Sequence, residues 1–382
     1  MIKDILIYTP MYVTFFWAVV LLTAARKKNK AKHFLGIFMI VAFMVYLPHA
    51  VFFNKDYETY IMLDPVYTFA SLAVYPLYYW YIKLLTIETR YNYRNLWYLL
   101  PAIVLSLASI VIYLIMSHEE AMKYLRGVLL REGMQSPPSL RYQLQKGIYL
   151  LSRAVFAVQV IFFLVLGRKL VIRYNNKIAN FYSNLENKTI VWVKLLLYSF
   201  VVTSIASILF NVIGRTVFLN STVLLLIPSA IFSLLLFFIG LQGYMQNHTV
   251  VDLIEDAIEY QEITLKNYNQ AQLKKKLMNL FANDKIYKNS DLKITQVSSK
   301  LNTNRTYISQ LINNDFDCSF SEFVNGHRIL EAKKMLANDE FDNYSLNYIS
   351  EEVGFGSLNT FIRVFKESAG ITPGRFRQES KL

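Results

Sequence analysis

Residues 346–376 read LNYISEEVGFGSLNTFIRVFKESAGITPGRF, and this stretch decides the fold of the C-terminal part of the chain. Ile349, Val353, Phe361, Val364 and Phe365 recur at helical spacing and mark the inward faces of two successive helices. Gly354 falls where the chain must reverse between them, a position that favours positive φ and so glycine. Ser357 is placed to cap the second helix by accepting from one of its free N–H groups. Thr372-Pro373 is a cap followed by proline at the first position of a third, short helix. Two helices across such a turn make a helix-turn-helix, which presents its second helix to something outside.

A related stretch lies upstream: ITQVSSKLNTNRTYISQLINND, residues 294–315. Val297 matches Ile349, Leu301 matches Val353, and Asn302 stands where Gly354 does. Asparagine is the next best residue at positive φ. Asn304 takes the capping place of Ser357, and Ile308, Leu311 and Ile312 match Phe361, Val364 and Phe365. The chain therefore carries two helix-turn-helix units, the second with one extra residue in its turn. Between them runs SFSEFVNGHRILEAKKMLAN, residues 319–338. Ser319 and Glu322 form a capping box, and Phe320, Phe323, Val324, Ile329, Ala332 and Leu336 give an apolar face. A continuous helix here holds the two units at a fixed separation. With Leu273, Leu277, Leu280 and Phe281 opening the bundle, residues 271–382 read as a soluble, all-α domain of seven helices.

These residues resemble the AraC/XylS family of bacterial transcription regulators. The resemblance rests on the RILEAKKML linker helix, the ISEEVGF turn, the FIRVFK recognition helix and the GITPGRFR ending, and covers about 272–379. It implies sequence-specific binding of promoter DNA, with both recognition helices in successive major grooves on one face of bent DNA. Two positions depart from the family pattern. Asp317 stands where glycine is usual, and Ile312 where an aromatic is common.

The faces left free by the buried residues nominate base-reading side chains: Arg305, Thr306, Ser309 and Gln310 in the first unit, Leu358, Asn359, Ile362 and Arg363 in the second. Arginine clamps guanine edges, and asparagine or glutamine clamps adenine. Lys300, Lys366, Arg375 and Arg377 suit phosphate contacts, which position without specifying. Asn302, Asn304, Gly354 and Ser357 serve the turns and caps. Each of these side chains also has a plainer reading as a solvated helix surface, and Cys318 reads as a small buried residue.

The rest of the chain is apolar. Of 382 residues 54% are hydrophobic, and mean hydropathy is +0.29, against an apolar share of about 45–50% in soluble domains. One cysteine excludes a disulfide framework and a cysteine zinc site. The five histidines are scattered, and no Walker loop, GxGxxG or GxSxG occurs. No metal, no cofactor and no enzyme activity is expected. The net charge of +13 invites a nucleic-acid reading, but the chain before residue 250 accounts for all of it, and the rest nearly cancels. Before residue 250 it reports membrane topology.

Seven segments are apolar enough to span a bilayer, which needs roughly 20 residues: about 5–25, 34–53, 66–87, 96–116, 148–167, 191–212 and 222–241. A cleaved signal peptide competes for the first, but Lys3 and Asp4 cancel before it and RKKNKAK follows it, the wrong flank for export. Lys83 and Lys194 lie near span ends and can snorkel. The basic loops are 26–32, 90–94 and 168–188, on alternate sides of the bundle. The positive-inside rule then places the N-terminus outside and the C-terminus in the cytoplasm, where a DNA-reading domain has to be. Polar residues within the spans, among them His49, Arg153 and Gln159, have a snorkelling or backbone-bonding reading beside a ligand-binding one. No acidic residue is expected mid-membrane, which argues against a cation-coupled transporter. Residues 246–270 are an acidic helical linker that suits either a two-stranded coiled coil, hence a homodimer, or a single amphipathic helix.

The architecture expected is thus all-α, with a seven-helix transmembrane bundle over 1–245, the linker 246–270 and the DNA-binding domain 271–382. The function expected is that of a multi-pass inner-membrane, one-component transcription regulator. Its partners are promoter DNA, the lipid bilayer and an unknown signal molecule or membrane partner. The alternative is a membrane transport or lipid-related protein with a secondary DNA-binding tail.

Overall fold

The computed structural model describes residues 2–24, 29–88, 90–132, 137–186, 205, 215–245 and 270–380. These are helical throughout, with short 3-10 and π turns and no strand among the described residues. The expected span at 191–212 lies outside the described residues apart from position 205, and so does the linker at 246–269. The chain divides into two units, 1–171 with 190–250, and 172–189 with 251–382.

In the first unit the described helices are α1 (Ile2–Ala24), α2 (Lys30–Phe53), α3 (Tyr57–Thr86), α4 (Leu100–Ile115), α5 (His118–Tyr124), α6 (Leu140–Ala179), α7 (Arg215–Asn220) and α8 (Thr222–Met245). The last residues of α6 belong to the second unit. Helix α1 packs on α2 and α8, α2 on α3, and α3 on α4. Among the described residues, five segments are long and apolar enough to cross a membrane: Lys3–Ala24, Lys30–Phe53, Tyr93–Ile115, Leu140–Ala179 and Thr222–Met245.

Helix α3 corrects the reading of 66–87. It begins at Tyr57, nine residues earlier than expected, because Asp56 caps it and accepts from the Thr59 N–H at 3.1 Å. It is not among the five apolar crossings. Its hydropathy is lowered by Tyr75, Tyr78, Tyr79 and Tyr81, all of them buried. Asp64, which precedes the expected span, is buried inside this helix. Its carboxylate accepts from the hydroxyls of Tyr60 at 3.0 Å and Tyr113 at 2.8 Å, which is what makes the position tolerable. Lys83 does not snorkel to water. Its ammonium lies 2.8 Å from the Glu88 carboxylate and donates to Asn95 Oδ1 at 2.6 Å. Helix α6 also outruns expectation. It continues past residue 167 to Ala179, so Arg168, Lys169, Arg173 and Lys177 lie on helix rather than in a loop.

In the second unit the helices are α9 (Gln270–Ala282), α10 (Ile294–Lys300), α11 (Arg305–Phe316), α12 (Phe320–Ala337), α13 (Leu346–Glu352), α14 (Leu358–Ala369) and α15 (Pro373–Glu379). Helix α12 serves both halves. Phe320 and Val324, near its start, are buried, as are Val297, Leu301, Ile308, Leu311 and Ile312 of the first half. Ile329, Ala332, Met335 and Leu336, on its later turns, form one core with Ile349, Val353, Phe355, Phe361 and Phe365. An aromatic cluster of Phe281, Phe323, His327 and Phe316 closes the first half. Burial holds the His327 imidazole below its usual pKa.

Candidate nucleic-acid interface

The two turns open with the same pair of backbone hydrogen bonds. After α10 the chain enters the left-handed region at Asn302, φ 49°. The Asn302 N–H donates to Ser299 O at 3.0 Å, and the Thr303 N–H to Ser298 O at 2.9 Å. After α13 it does so at Gly354, φ 92°. The Gly354 N–H donates to Glu351 O and the Phe355 N–H to Ser350 O, each at 2.9 Å. This is the Schellman pattern, which satisfies the carbonyls a helix end leaves free. Asn304 then caps α11 by accepting from the Tyr307 N–H at 3.0 Å, and Ser357 caps α14 by accepting from the Thr360 N–H at 3.3 Å. Residues 301–304 connect the first pair and 353–357 the second, so the extra residue expected in the second turn is present. The linker helix carries its capping box at Ser319 and Glu322, and Thr372 caps α15 ahead of Pro373.

The comparisons with known proteins fall on this region. A helix-turn-helix domain family model matches residues 297–379. An uncharacterized HTH-type transcriptional regulator, YtdP of Bacillus subtilis, is 33% identical over 92 residues, 24% of this chain and 12% of that protein. A second from B. subtilis, YfiF, is 37% identical over 94 residues, 24% of this chain and 29% of its own length. The probable transcription factor PqrA of Proteus vulgaris is 28% identical over 97 residues, 25% of this chain and 77% of its own. Residues 297–379 form a helix-turn-helix domain of the AraC/XylS type. The chain spans only a small part of the length of the two B. subtilis relatives. No solved structure matches it.

On the first recognition helix of this AraC-type domain, α11, Arg305, Thr306 and Gln310 are exposed and Ser309 is half-buried. On the second, α14, Asn359 and Arg363 are exposed, whereas Leu358 and Ile362 are half-buried against the core. Of the candidates on α14, Asn359, Arg363 and Lys366 are the exposed ones. Arg363 pairs with Glu367 one turn on, at 3.0 Å. Such an exposed pair contributes about 0.3–0.5 kcal/mol, too little to hold the guanidinium back from a base edge. Of the phosphate candidates, Lys300, Lys366 and Arg375 are exposed, and Arg375 pairs with Glu379 at 2.6 Å. Arg377 is half-buried and donates to Tyr344 O at 3.0 Å, a structural tie between α15 and the segment before α13. Cys318 is half-buried rather than buried, and that partial burial pushes its thiol pKa up.

Asp317, the departure from glycine, ends α11 in the left-handed region at φ 50°, ψ 40°. The backbone thus still takes the conformation a glycine would. Asp317→Gly is expected to stabilise the domain by about 0.5–1 kcal/mol, less than the roughly 1–2 kcal/mol that the left-handed region costs most residues, because aspartate enters it more readily. Thermal denaturation of the full chain, read by protease resistance of the C-terminal domain, checks this. An unchanged or lower midpoint counts against it.

Two features of the domain were not foreseen. Arg328 on α12 is among the largest fully buried side chains, at 1% exposure. Its guanidinium donates from Nε to Tyr287 O at 2.8 Å, from Nη2 to Asn289 O at 2.7 Å and to Ser183 Oγ at 3.2 Å, and from Nη1 to Asn325 Oδ1 at 3.1 Å. Burial pulls its pKa down to about 10, so it stays charged at neutral pH. A signal was present in the sequence: residue 328 lies four after Val324 and four before Ala332, on the apolar stripe.

The second is the segment 180–186, which follows α6 and packs on the AraC-type domain. Tyr182 makes an antiparallel bridge with Lys293. The Ile294 N–H donates to Phe181 O at 2.9 Å and the Ser183 N–H to Leu292 O at 3.0 Å. The Ser321 hydroxyl donates to Ser183 O at 2.9 Å. No periodicity announces a single bridge of this kind.

Proposed function

We propose that this chain is a membrane-bound, one-component transcription regulator whose AraC-type domain binds promoter DNA through α11 and α14. The observation that carries the reading is the pair of turns closed by the same backbone hydrogen bonds, each followed by a helix with an exposed arginine, Arg305 and Arg363. The five apolar helices support residence in a bilayer. The basic residues flanking the spans, in loops and on the last turns of α6, favour a multi-pass inner-membrane arrangement with the N-terminus outside and the DNA-binding domain in the cytoplasm. The spans would sense an unknown signal molecule or membrane partner, and the acidic linker would serve a homodimer if it pairs as a coiled coil.

The test is selection of duplexes from a random pool by the full chain in detergent micelles. Enrichment of a site about two major grooves long supports the reading, and failure to prefer any sequence over random duplex at moderate salt sinks it. Arg363→Ala is expected to weaken binding to the selected site by about 1–3 kcal/mol and to relax preference at one base pair. Lys366→Ala should weaken binding evenly across sequences and make it less salt-dependent. Competition binding against single-base variants of the site separates the two. An Arg363→Ala loss that is uniform across variants would demote that residue to a phosphate contact.

A further inference from the structure

The segment 180–186 does more than pack beside the domain. Its burial grades along its length: Phe181, Tyr182 and Ser183 are buried, Asn184 and Leu185 half-buried, Glu186 exposed. The first part is an anchor, tied by the backbone bridge at 182 and 293 and by the Ser183 bonds to Ser321 and Arg328. The Phe320 N–H adds a contact to Asn180 Oδ1 at 3.4 Å.

The contacts of this segment fall on the places a duplex would need. The Phe181 ring lies under the guanidinium of Arg305, 5.7 Å from ring centroid to Cζ, a cation–π distance. Arg305 is the first residue of α11. The Glu186 carboxylate accepts from Thr360 Oγ1 at 3.5 Å, in the first turn of α14. Helix N-termini attract anions, so a DNA phosphate approaching there meets a carboxylate already in position. The Asn184 side chain lies against the turn before α14, where a Cβ built on Gly356 would sit 2.6 Å from Asn184 Nδ2. The N-terminal residues of a recognition helix are those that reach base edges. The segment thus touches the leading ends of both recognition helices.

We infer that residues 180–186 are a cover in cis over the DNA-reading face, anchored at Phe181–Ser183 and displaced at Asn184–Glu186 when DNA binds. The inference rests on the reading of this domain as a DNA binder. The cover continues directly from α6, so a signal that shifts the end of that helix acts on DNA binding by chain continuity, without passing through the linker.

The experiment uses the full chain in detergent micelles with Cys318→Ser, carrying Asn184→Cys and Gly356→Cys. The probe is a duplex enriched from a random pool by the reduced protein. Oxidation to the disulfide is expected to weaken binding at least about tenfold, as locking a competing state must, and reduction should restore it. Equal affinity in the two forms overturns the cover while leaving DNA binding intact. Failure of the two cysteines to pair contradicts the Asn184–Gly356 contact and overturns it as well. If the reduced, folded protein enriches no sequence, the DNA-binding reading falls, and the cover falls with it. Glu186→Gln, which leaves the anchor alone, is expected to tighten binding roughly two- to fivefold by removing a negative charge from the phosphate path. Unchanged or weaker binding by that variant rules out the tip as a competitor.

Discussion

Replacing Arg328 by methionine is expected to destabilise the C-terminal domain by about 3–5 kcal/mol. Methionine is of similar length and apolar, so it fills much of the space and leaves no buried charge. What it leaves is unmet acceptors. The carbonyls of Tyr287 and Asn289 lose their guanidinium donors at 2.8 and 2.7 Å, and Ser183 Oγ and Asn325 Oδ1 lose theirs. A bond to a charged donor contributes about 1.5–3 kcal/mol, and a buried acceptor left without one costs about 1–3 kcal/mol. Several such losses, partly offset by removing the desolvation cost of the cation, place the net in that range. This is a large share of the roughly 5–15 kcal/mol that holds a domain folded. Arg328→Lys should fall in between, because an ammonium keeps the charge but lacks the planar fork that reaches four partners. Protease resistance of the domain against temperature, in the full chain, gives the order wild type, lysine, methionine. A methionine variant as stable as wild type would show that the four bonds carry no net stability.

Much of this domain is legible in its sequence. The turns were legible because each is encoded locally. A residue able to take positive φ must follow α10 and α13, and a capping side chain must precede α11 and α14. Asn302, Asn304, Gly354 and Ser357 are those residues. The linker helix was legible from its capping box and its apolar stripe. The contacts that join distant parts were not. Arg328 bonds residues 41 and 145 positions away in the chain, and no local pattern states which arginine on an apolar stripe is paid for by backbone carbonyls. The segment 180–186 has the composition of an ordinary loop, and only its partners at 292–294 and 321 give it a place. On the reading face, spacing could tell outward from inward but not degree. Leu358 and Ile362 lie at the edge of the buried stripe and lean on the core. In the apolar part, α3 was misread at its start because charge in a sequence reads as exposure. Asp64 escapes that rule through two tyrosine hydroxyls, one of them 49 residues away.

Gly354→Ala is expected to cost about 3 kcal/mol or more, the largest effect of any single added methyl in the domain. Two causes act together, and they are separable. The first is conformational: at φ 92° an L-residue carries a penalty of roughly 1–2 kcal/mol. The second is contact: a Cβ here would lie 2.6 Å from both Lys288 O and Tyr287 O. Those are backbone atoms and have no rotamer to yield, so the α13–α14 turn or the 286–288 turn must move. Moving Tyr287 O also disturbs the acceptor of Arg328 Nε, so the two sites are coupled. The double variant of Gly354→Ala with Arg328→Met should cost less than the sum of the single ones. Gly354→Asn distinguishes the causes. Asparagine accepts the left-handed region, as Asn302 does at φ 49° in the sister turn, but it carries the same Cβ. If contact dominates, asparagine is as damaging at 354 as alanine, and the two melting midpoints of the domain coincide. If asparagine restores most of the stability, the close approach is relieved cheaply and the glycine is required for its φ alone.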